Sequence, residues 1–119
     1  ISRLIEKYSP EKIFTHSASE FHIDHRAVYS IVKKALSAID KRYSLYTFSI
    51  WNPFNLLHRN SPKLYVDISQ VFKKKLAAMK MFKSQPHFIY PLIPVMYIRA
   101  KLYGLESGFS YAEKFYKVT

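Results

Sequence analysis

Apolar positions in the first half of the chain follow helical and strand periods in turn. A helical pattern over Ser2–Tyr8 precedes a β-prone run at residues 12–15. An amphipathic helix is predicted over residues 25–40, with Asp24 as its N-cap because a carboxylate can accept from free backbone N–H groups. The apolar face of this helix is predicted to contain Val28, Ile31, Val32, Ala35, Leu36 and Ile39.

The second half predicts two strands and two helices. Aromatic and β-branched residues favour strands at 43–51 and 63–68, on either side of a loop at 52–62. We expect Ser69 to cap a helix that runs to about residue 84, and Gly104 to end a helix over 92–103. Residues 109–118 fit either a short strand or a turn. This order is typical of a layered α/β domain, although three strands make a small and incomplete sheet.

Lys75 interrupts an otherwise apolar helix face. At 3.6 residues per turn it falls within the apolar arc, whereas its lysine neighbours point elsewhere. The arc consists of Val71, Phe72, Leu76, Met79 and Phe82. Lys75 therefore either extends its amine to solvent along this face or meets a buried partner.

Composition excludes several classes of protein. The 119 residues suffice for one domain or a piece of one. There is no cysteine, which excludes disulfides, thiol nucleophiles and cysteine-ligated metals, and two glycines are too few for a glycine-rich phosphate loop. The longest apolar stretch, residues 88–98, is interrupted by Pro91 and Pro94, so no transmembrane helix is predicted. No signal-peptide pattern is present in the first residues of the sequence. We expect a cytoplasmic location.

The formal net charge of +11 suggests a second class of function. A basic module without catalysis could bind nucleic acid or another anionic surface. That hypothesis requires one shared face for Lys33, Lys34, Lys73, Lys74, Lys80 and Lys83. Residues 88–98, with Arg99 and Lys101, could instead attach to a membrane surface, but a buried core explains the same apolar residues.

Three of the five histidines cluster at the start of the predicted helix at 25–40. His16, His22 and His25 fall within ten residues, together with Glu20 and Asp24. The positive end of a helix disfavours the imidazolium form and keeps a ring able to bind a metal, and a nearby carboxylate can fix its tautomer. The alternative is a polar surface loop, because a His-x-x-His pair beside an Asp also arises by chance.

Residues 15–28 resemble the His-x-Asp-His segment of the PIG-L/LmbE zinc-dependent de-N-acetylases, in which a short strand and a loop precede "H-P-D-H-x-x-V" at a helix start. Two further stretches agree in order and spacing. Val66-Asp67-Ile68-Ser69, Lys75-Leu76-Ala77-Ala78 and Ser84-Gln85 resemble the family's "D-I-S … K-x-x-A … S-Q" region. Ser110-Tyr111-Ala112-Glu113-Lys114-Phe115 resembles its closing "Y-A-E-x-F".

The resemblance implies a Rossmann-like, three-layer α/β fold with Zn²⁺ at the strand ends. It implies hydrolysis of the acetamide of an N-acetylglucosamine-type sugar or glycoconjugate, and a membrane role only if that substrate is lipid-linked. His25 matches a zinc ligand, His22 the residue that stabilises the oxyanion, and Asp24 an acid that orients or charge-balances a histidine. The inward Lys75 coincides with the family lysine, which makes Glu113 its candidate partner. Ser84 and Gln85 could form part of the wall near the site or cap the helix, and we favour the structural role.

Departures from the family limit this interpretation. The sequence contains no His-Pro-Asp-Asp, the motif that supplies two zinc ligands and the general base, and Ile23 stands where the family has proline. We therefore expect residues 1–119 to be one partial domain, the C-terminal half of a longer enzyme, and to be inactive alone. The aromatic side chains are expected in the core or lining a substrate cleft: Tyr43, Tyr46, Phe48, Phe54 and Tyr65.

Overall fold

The chain forms an α/β structure with a mixed four-stranded sheet. The computed structural model describes residues 1–50, 52, 60–82, 84 and 86–119. Their elements are α1 (Ser2–Tyr8), β1 (Lys12–His16), α2 (Ile23–Ser37), β2 (Ser44–Phe48), β3 (Lys63–Asp67), α3 (Phe72–Lys80), α4 (Pro86–Ser107) and β4 (Ala112–Lys117). The strand order is β1-β2-β4-β3.

The sheet is larger than the sequence predicted because the C-terminal segment is a strand. β1 and β2 are parallel, with Phe14 opposite Tyr46, whereas β4 runs antiparallel to β2. The Leu45 N–H donates to the Thr119 carbonyl at 3.1 Å, and the Val118 N–H donates to the Leu45 carbonyl at 2.8 Å. A partner strand distant in sequence thus selects the extended form that local pattern left open.

Helix α2 begins at Ile23 rather than at residue 25, and it ends at Ser37 rather than at residue 40. The prediction that Asp24 is the N-cap is wrong, because Asp24 lies in the first turn of the helix. His22 takes that position with extended backbone, and its Nδ1 accepts from the Asp24 N–H at 3.3 Å. The imidazole nitrogen therefore replaces the expected carboxylate as the acceptor for a free helix-terminal N–H.

Helix α3 is shorter than predicted, and Ser69 does not cap it. The N-cap is Val71 and the last helical residue is Lys80. The Ser69 hydroxyl instead donates to Asp67 Oδ1 at 2.6 Å, and its oxygen accepts from the Tyr111 N–H at 3.1 Å. These bonds hold the turn after β3 against the segment that enters β4. Ser84 is an exposed turn residue, and Gln85 lies outside the described residues.

Helix α4 is longer than predicted and contains Pro91 and Pro94. Gly104 does not end it, because the helix continues to Ser107 and Gly108 adopts the positive φ of 80° after it. A Cβ at Gly104 would stand 2.6 Å from the Phe109 carbonyl oxygen. Glycine is needed there so that the returning chain can approach the helix closely.

The chain divides into two compact units. The first contains residues Ile1–Leu64 and Phe115–Thr119, and the second contains Tyr65–Lys114. In the first, the β2 side chains of Leu45 and Thr47 are fully buried. In the second, the core cluster contains Ile68, Phe72 and Ala100, with Leu76 and Tyr111 packed against it.

Two helix faces that the apolar pattern assigned to the core are only partly buried, with Val32, Ala35 and Leu36 of α2 half-buried. Val28 and Ile31 of α2 are 40% and 51% exposed, and α2 has no buried residue. On α4, Leu92 is buried, but Phe88 and Ile98 are 62% and 57% exposed, so the core accounts for only part of residues 88–98. Among the described residues, every helix is too short or too polar to span a membrane.

Lys75 meets the partner that the sequence suggested. Its amine donates to the carboxylate of Glu113 on β4, and both side chains are 34% exposed. Its helix neighbours Phe72 and Leu76 contribute to the core, so the pairing explains how a lysine is accommodated on an apolar face.

A double-mutant cycle should detect this pair. Lys75→Met, Glu113→Gln and the double variant should show a coupling of about 0.5–1 kcal/mol in the free energy of unfolding, since a partly exposed ion pair is moderately screened. Urea denaturation measures it. Lys74→Met, at an exposed position of the same helix, should show no coupling to Glu113→Gln. Equal coupling for both lysines would contradict a specific contact.

Gly104→Ala should destabilise the protein by about 1 kcal/mol or more. The clash with the Phe109 carbonyl should outweigh the gain of about 1 kcal/mol that alanine brings to a helix interior. The midpoint of urea denaturation measures the change. Leu105→Ala, at a side chain that is 71% exposed, should change stability by less than about 0.5 kcal/mol. A stabilised Gly104→Ala protein would contradict the close approach.

Candidate functional site

The candidate site lies in the first unit, where β1 ends and α2 begins. His16 is the last residue of β1 and pairs in register with Phe48 of β2. The Ser17 N–H then donates to the Phe48 carbonyl at 2.8 Å, which extends the parallel pairing by one residue. The carboxyl ends of both strands therefore lie together, and the connection to α2 starts from this edge, where open α/β sheets place their ligand sites.

The connection between β1 and α2 is held by side chains as well as backbone. The Ser17 and Ser19 hydroxyls are 2.8 Å apart, and the Asn52 amide donates to the Ser19 carbonyl at 2.9 Å. Ser17 is fully buried. The loop is thus held by a backbone bond to β2 at Ser17 and by the Asn52 side chain at Ser19.

Glu20 is the buried acid of the site. It is 1% exposed, and its Oε1 accepts from the Ile50 N–H at 2.7 Å. Its Oε2 lies 3.2 Å from Nδ1 of His25. The sequence placed Glu20 beside the histidines, where a carboxylate can fix a tautomer, but sequence alone does not reveal that this side chain turns inward.

His25 stands at the centre of three imidazole rings. It lies on the first turn of α2, and its side chain is 21% exposed. The His16 ring stacks on it with centroids 4.1 Å apart and planes inclined by 20°. The His22 ring lies on it at 5.0 Å and 32°. The structure therefore brings together all three clustered histidines.

His22 and Asp24 occupy the open side of this cluster. Their side chains are 55% and 85% exposed, and Nδ1 of His22 lies 3.7 Å from Asp24 Oδ2. That separation exceeds a hydrogen bond, whereas the bond from the Asp24 backbone N–H to the same nitrogen is formed. The Asp24 backbone therefore orients the His22 ring in this structure, and the orienting role predicted for its carboxylate stays a prediction.

His16 closes the inner side of the cluster. Burial, followed by the charge of His25, lowers the pKa of His16 below its ordinary value of 6.5, while Glu20 opposes the shift. Its Nδ1 is buried and has no hydrogen-bond partner among the described residues. The His16 ring also lies 4.9 Å from the ring of Phe48. An uncharged ring packed between aromatic neighbours fits this environment.

Aromatic side chains line the sheet beside the histidines. Phe48 lies edge-on to Phe115 of β4 with centroids 6.2 Å apart. Tyr43 is buried, and Tyr46 and Phe48 are half-buried, in line with their expected place in the core or a cleft wall. Tyr65 is half-buried in the second unit, and its hydroxyl donates to Glu106 at 2.6 Å. Phe54 lies outside the described residues.

The donor chemistry fits one zinc ligand but not a full set. A histidine whose Nδ1 bonds a carboxylate, with Nε2 left to a metal, is the arrangement common around protein zinc. His25 and Glu20 provide it. A catalytic zinc needs three protein ligands. Within residues 1–50, 52, 60–82, 84 and 86–119, no three His, Asp or Glu side chains converge in this way.

The basic residues were expected to share one face in the alternative function. Lys33 and Lys34 are exposed on α2 in the first unit, and Lys73, Lys74 and Lys80 are exposed on α3 in the second. Lys83 lies outside the described residues. Binding of nucleic acid or another anionic surface therefore stays a prediction.

Comparison with known proteins finds a structural relative. The chain superposes on the crystal structure of the conserved protein TT1542 from Thermus thermophilus with a TM-score of 0.75 and 19% identity. The match covers 99% of this chain and 56% of that one, so the chain spans just over half the length of this relative. No family model and no curated protein match the sequence. At this identity the likeness shows a shared fold.

Acid should destabilise the protein in part through His16. Because folding lowers the pKa of His16, this contribution is complete above about 6.5 and is lost as the pH falls below that value. His16→Phe keeps an aromatic ring there and should reduce the decline in stability between neutral and mildly acidic pH. Thermal unfolding across this range measures it. His87→Phe, at an exposed position of α4, should retain the wild-type decline; identical profiles for all three proteins would contradict the prediction.

Proposed function

We propose that this chain is the C-terminal half of a Rossmann-like, three-layer de-N-acetylase of the PIG-L/LmbE type. Its reaction would be zinc-dependent hydrolysis of the acetamide of an N-acetylglucosamine-type sugar or glycoconjugate. The observation that carries the proposal is the pair His22 and His25 at the N-terminus of α2, with His25 backed by the buried Glu20. The motif resemblance named these two histidines, and the pair lies beside the carboxyl ends of two parallel strands.

The chemistry assigned to each residue follows from its partners. His25 would hold Zn²⁺ through Nε2, because Nδ1 is engaged by Glu20. His22 would donate from Nε2 to the oxygen that becomes negative when the amide is attacked, because its Nδ1 already accepts from the helix. Asp24, exposed beside His22, would balance charge there. When bound, zinc supplies a Lewis acid that polarises the amide carbonyl.

The remaining zinc ligands and the general base would come from polypeptide outside these 119 residues. The described residues provide one suitable ligand, and the matched structure is almost twice as long as the aligned segment. The 119-residue chain alone should therefore show no turnover. A cytoplasmic location belongs to the same proposal, with a membrane partner only if the sugar is lipid-linked.

The test is release of acetate from N-acetylglucosamine and its glycoconjugates. The natural polypeptide that contains residues 1–119 is assayed with zinc, and turnover is expected. His25→Ala and His22→Ala should each lower kcat/KM by about 100-fold or more, as losses of a metal ligand and an oxyanion donor do. His87→Ala, on α4, should retain full activity.

Three results would contradict the proposal. These are turnover by the 119-residue chain alone, activity that survives His25→Ala, and no acetate release from any substrate by the zinc-loaded natural polypeptide. In the last case, the basic binding module becomes the leading function. Its binding of nucleic acid should weaken steeply with salt as counterions are released.

A further inference from the structure

Glu20 is a buried carboxylate whose two oxygens contact different groups. Its side chain is 0% exposed, and an unpaired charge at such a site would be costly. One oxygen accepts from the backbone N–H of Ile50, which lies 30 positions along the sequence. The other oxygen lies 3.2 Å from Nδ1 of His25. When Glu20 is ionised it only accepts hydrogen bonds, and the proton of this contact then lies on Nδ1 of His25.

The partner at Nδ1 decides what the rest of the His25 ring can do. A neutral imidazole carries one proton, so a ring with the proton on Nδ1 has a lone pair on Nε2. His25 is therefore set as an acceptor or ligand at Nε2. Stacking against His16 on one side restricts rotation of the ring and keeps this nitrogen in place.

His22 is set in the opposite sense. Its Nδ1 accepts from the Asp24 backbone N–H, so that nitrogen carries no proton and the proton of the neutral ring is on Nε2. The two neighbouring rings, with centroids 5.0 Å apart, then differ in whether Nε2 carries a proton. His22 offers a hydrogen-bond donor at Nε2, and His25 offers an electron pair there.

We propose that Glu20 is the positioning residue of this site, which holds His25 as the Nδ1–H tautomer while the N-terminus of α2 holds His22 as the Nε2–H tautomer. Neither assignment requires a metal or substrate. The pair is suited to a ligand that combines a cation, at His25, with an electron-rich oxygen, at His22. This last step rests on the proposed function, in which the two are zinc and the amide oxygen.

The tautomers can be read directly by long-range ¹⁵N–¹H NMR of the imidazole rings. The natural polypeptide that contains residues 1–119 is measured without metal at neutral to mildly alkaline pH. The expected spectrum shows a proton-free Nε2 in His25 and a proton-free Nδ1 in His22. The opposite tautomer of His25, an equal mixture, or a doubly protonated His25 would overturn the proposal. This reading needs no variant, so it stands even if substitutions at Glu20 impair folding.

The Glu20→Gln variant tests whether Glu20 sets the tautomer of His25. An amide can both donate and accept, so His25 should change from one tautomer to a mixture, while His22 keeps its own. Asp24→Asn is the matched control, because it replaces an exposed carboxylate beside His22 and leaves the capping backbone N–H intact. It should change neither ring. An unchanged His25 in a folded Glu20→Gln protein would overturn the role of Glu20.

Metal affinity separates this inference from the proposed function. In the natural polypeptide, Glu20→Gln should weaken zinc binding by about 10- to 100-fold, the usual effect of losing a carboxylate behind a ligating histidine. Failure to bind zinc at all would refute the proposed function and leave the tautomer result standing. Zinc binding that Glu20→Gln leaves unchanged would refute the positioning role alone.

Discussion

The arrangement of the site depends on burying the Glu20 carboxylate. Removing a charge from water is costly, so Glu20 can turn inward only where fixed donors meet it. The Ile50 N–H, from the segment after β2, is such a donor, and the His25 ring, on the first turn of α2, is the second in the proposed tautomer. One acid thus connects two segments that are far apart in sequence and fixes the orientation of the His25 imidazole.

The parallel pairing of β1 and β2 makes this connection possible. The register of His16 with Phe48 carries the segment after each strand to the same edge, and the bond from Ser17 to the Phe48 carbonyl extends it. A one-residue slip would move His16 to the other face of the sheet. The strand register therefore also fixes the geometry of the histidines, because His16, the last residue of β1, stacks its ring on His25.

Polar side chains perform a similar task in the second unit. Ser69 links Asp67 at the end of β3 to the backbone of Tyr111, and Lys75 on α3 reaches Glu113 on β4. In the same unit the Phe72 ring stacks on the Tyr111 ring, with centroids 4.0 Å apart. The bonds between Ser69 and Tyr111 and between Lys75 and Glu113 span 42 and 38 positions of the sequence, so tertiary contacts as well as local preference hold this region.

Local sequence determined the elements whose signals are local. The helix Ser2–Tyr8 and the strands near residues 12 and 63 are confirmed, as are the clustering of three histidines and the pairing of Lys75 with Glu113. Motif order placed His22 and His25 at the start of α2, although their catalytic and zinc-binding roles stay predictions.

Tertiary structure alone decided that the C-terminal tail is a strand, that His22 rather than Asp24 caps α2, and that Gly104 lies inside a helix. It also decided that Glu20 is buried. Periodicity and capping preferences report on neighbours within a few residues, whereas these outcomes depend on backbone partners such as Leu45, Phe109 and Ile50, which only the folded chain brings near.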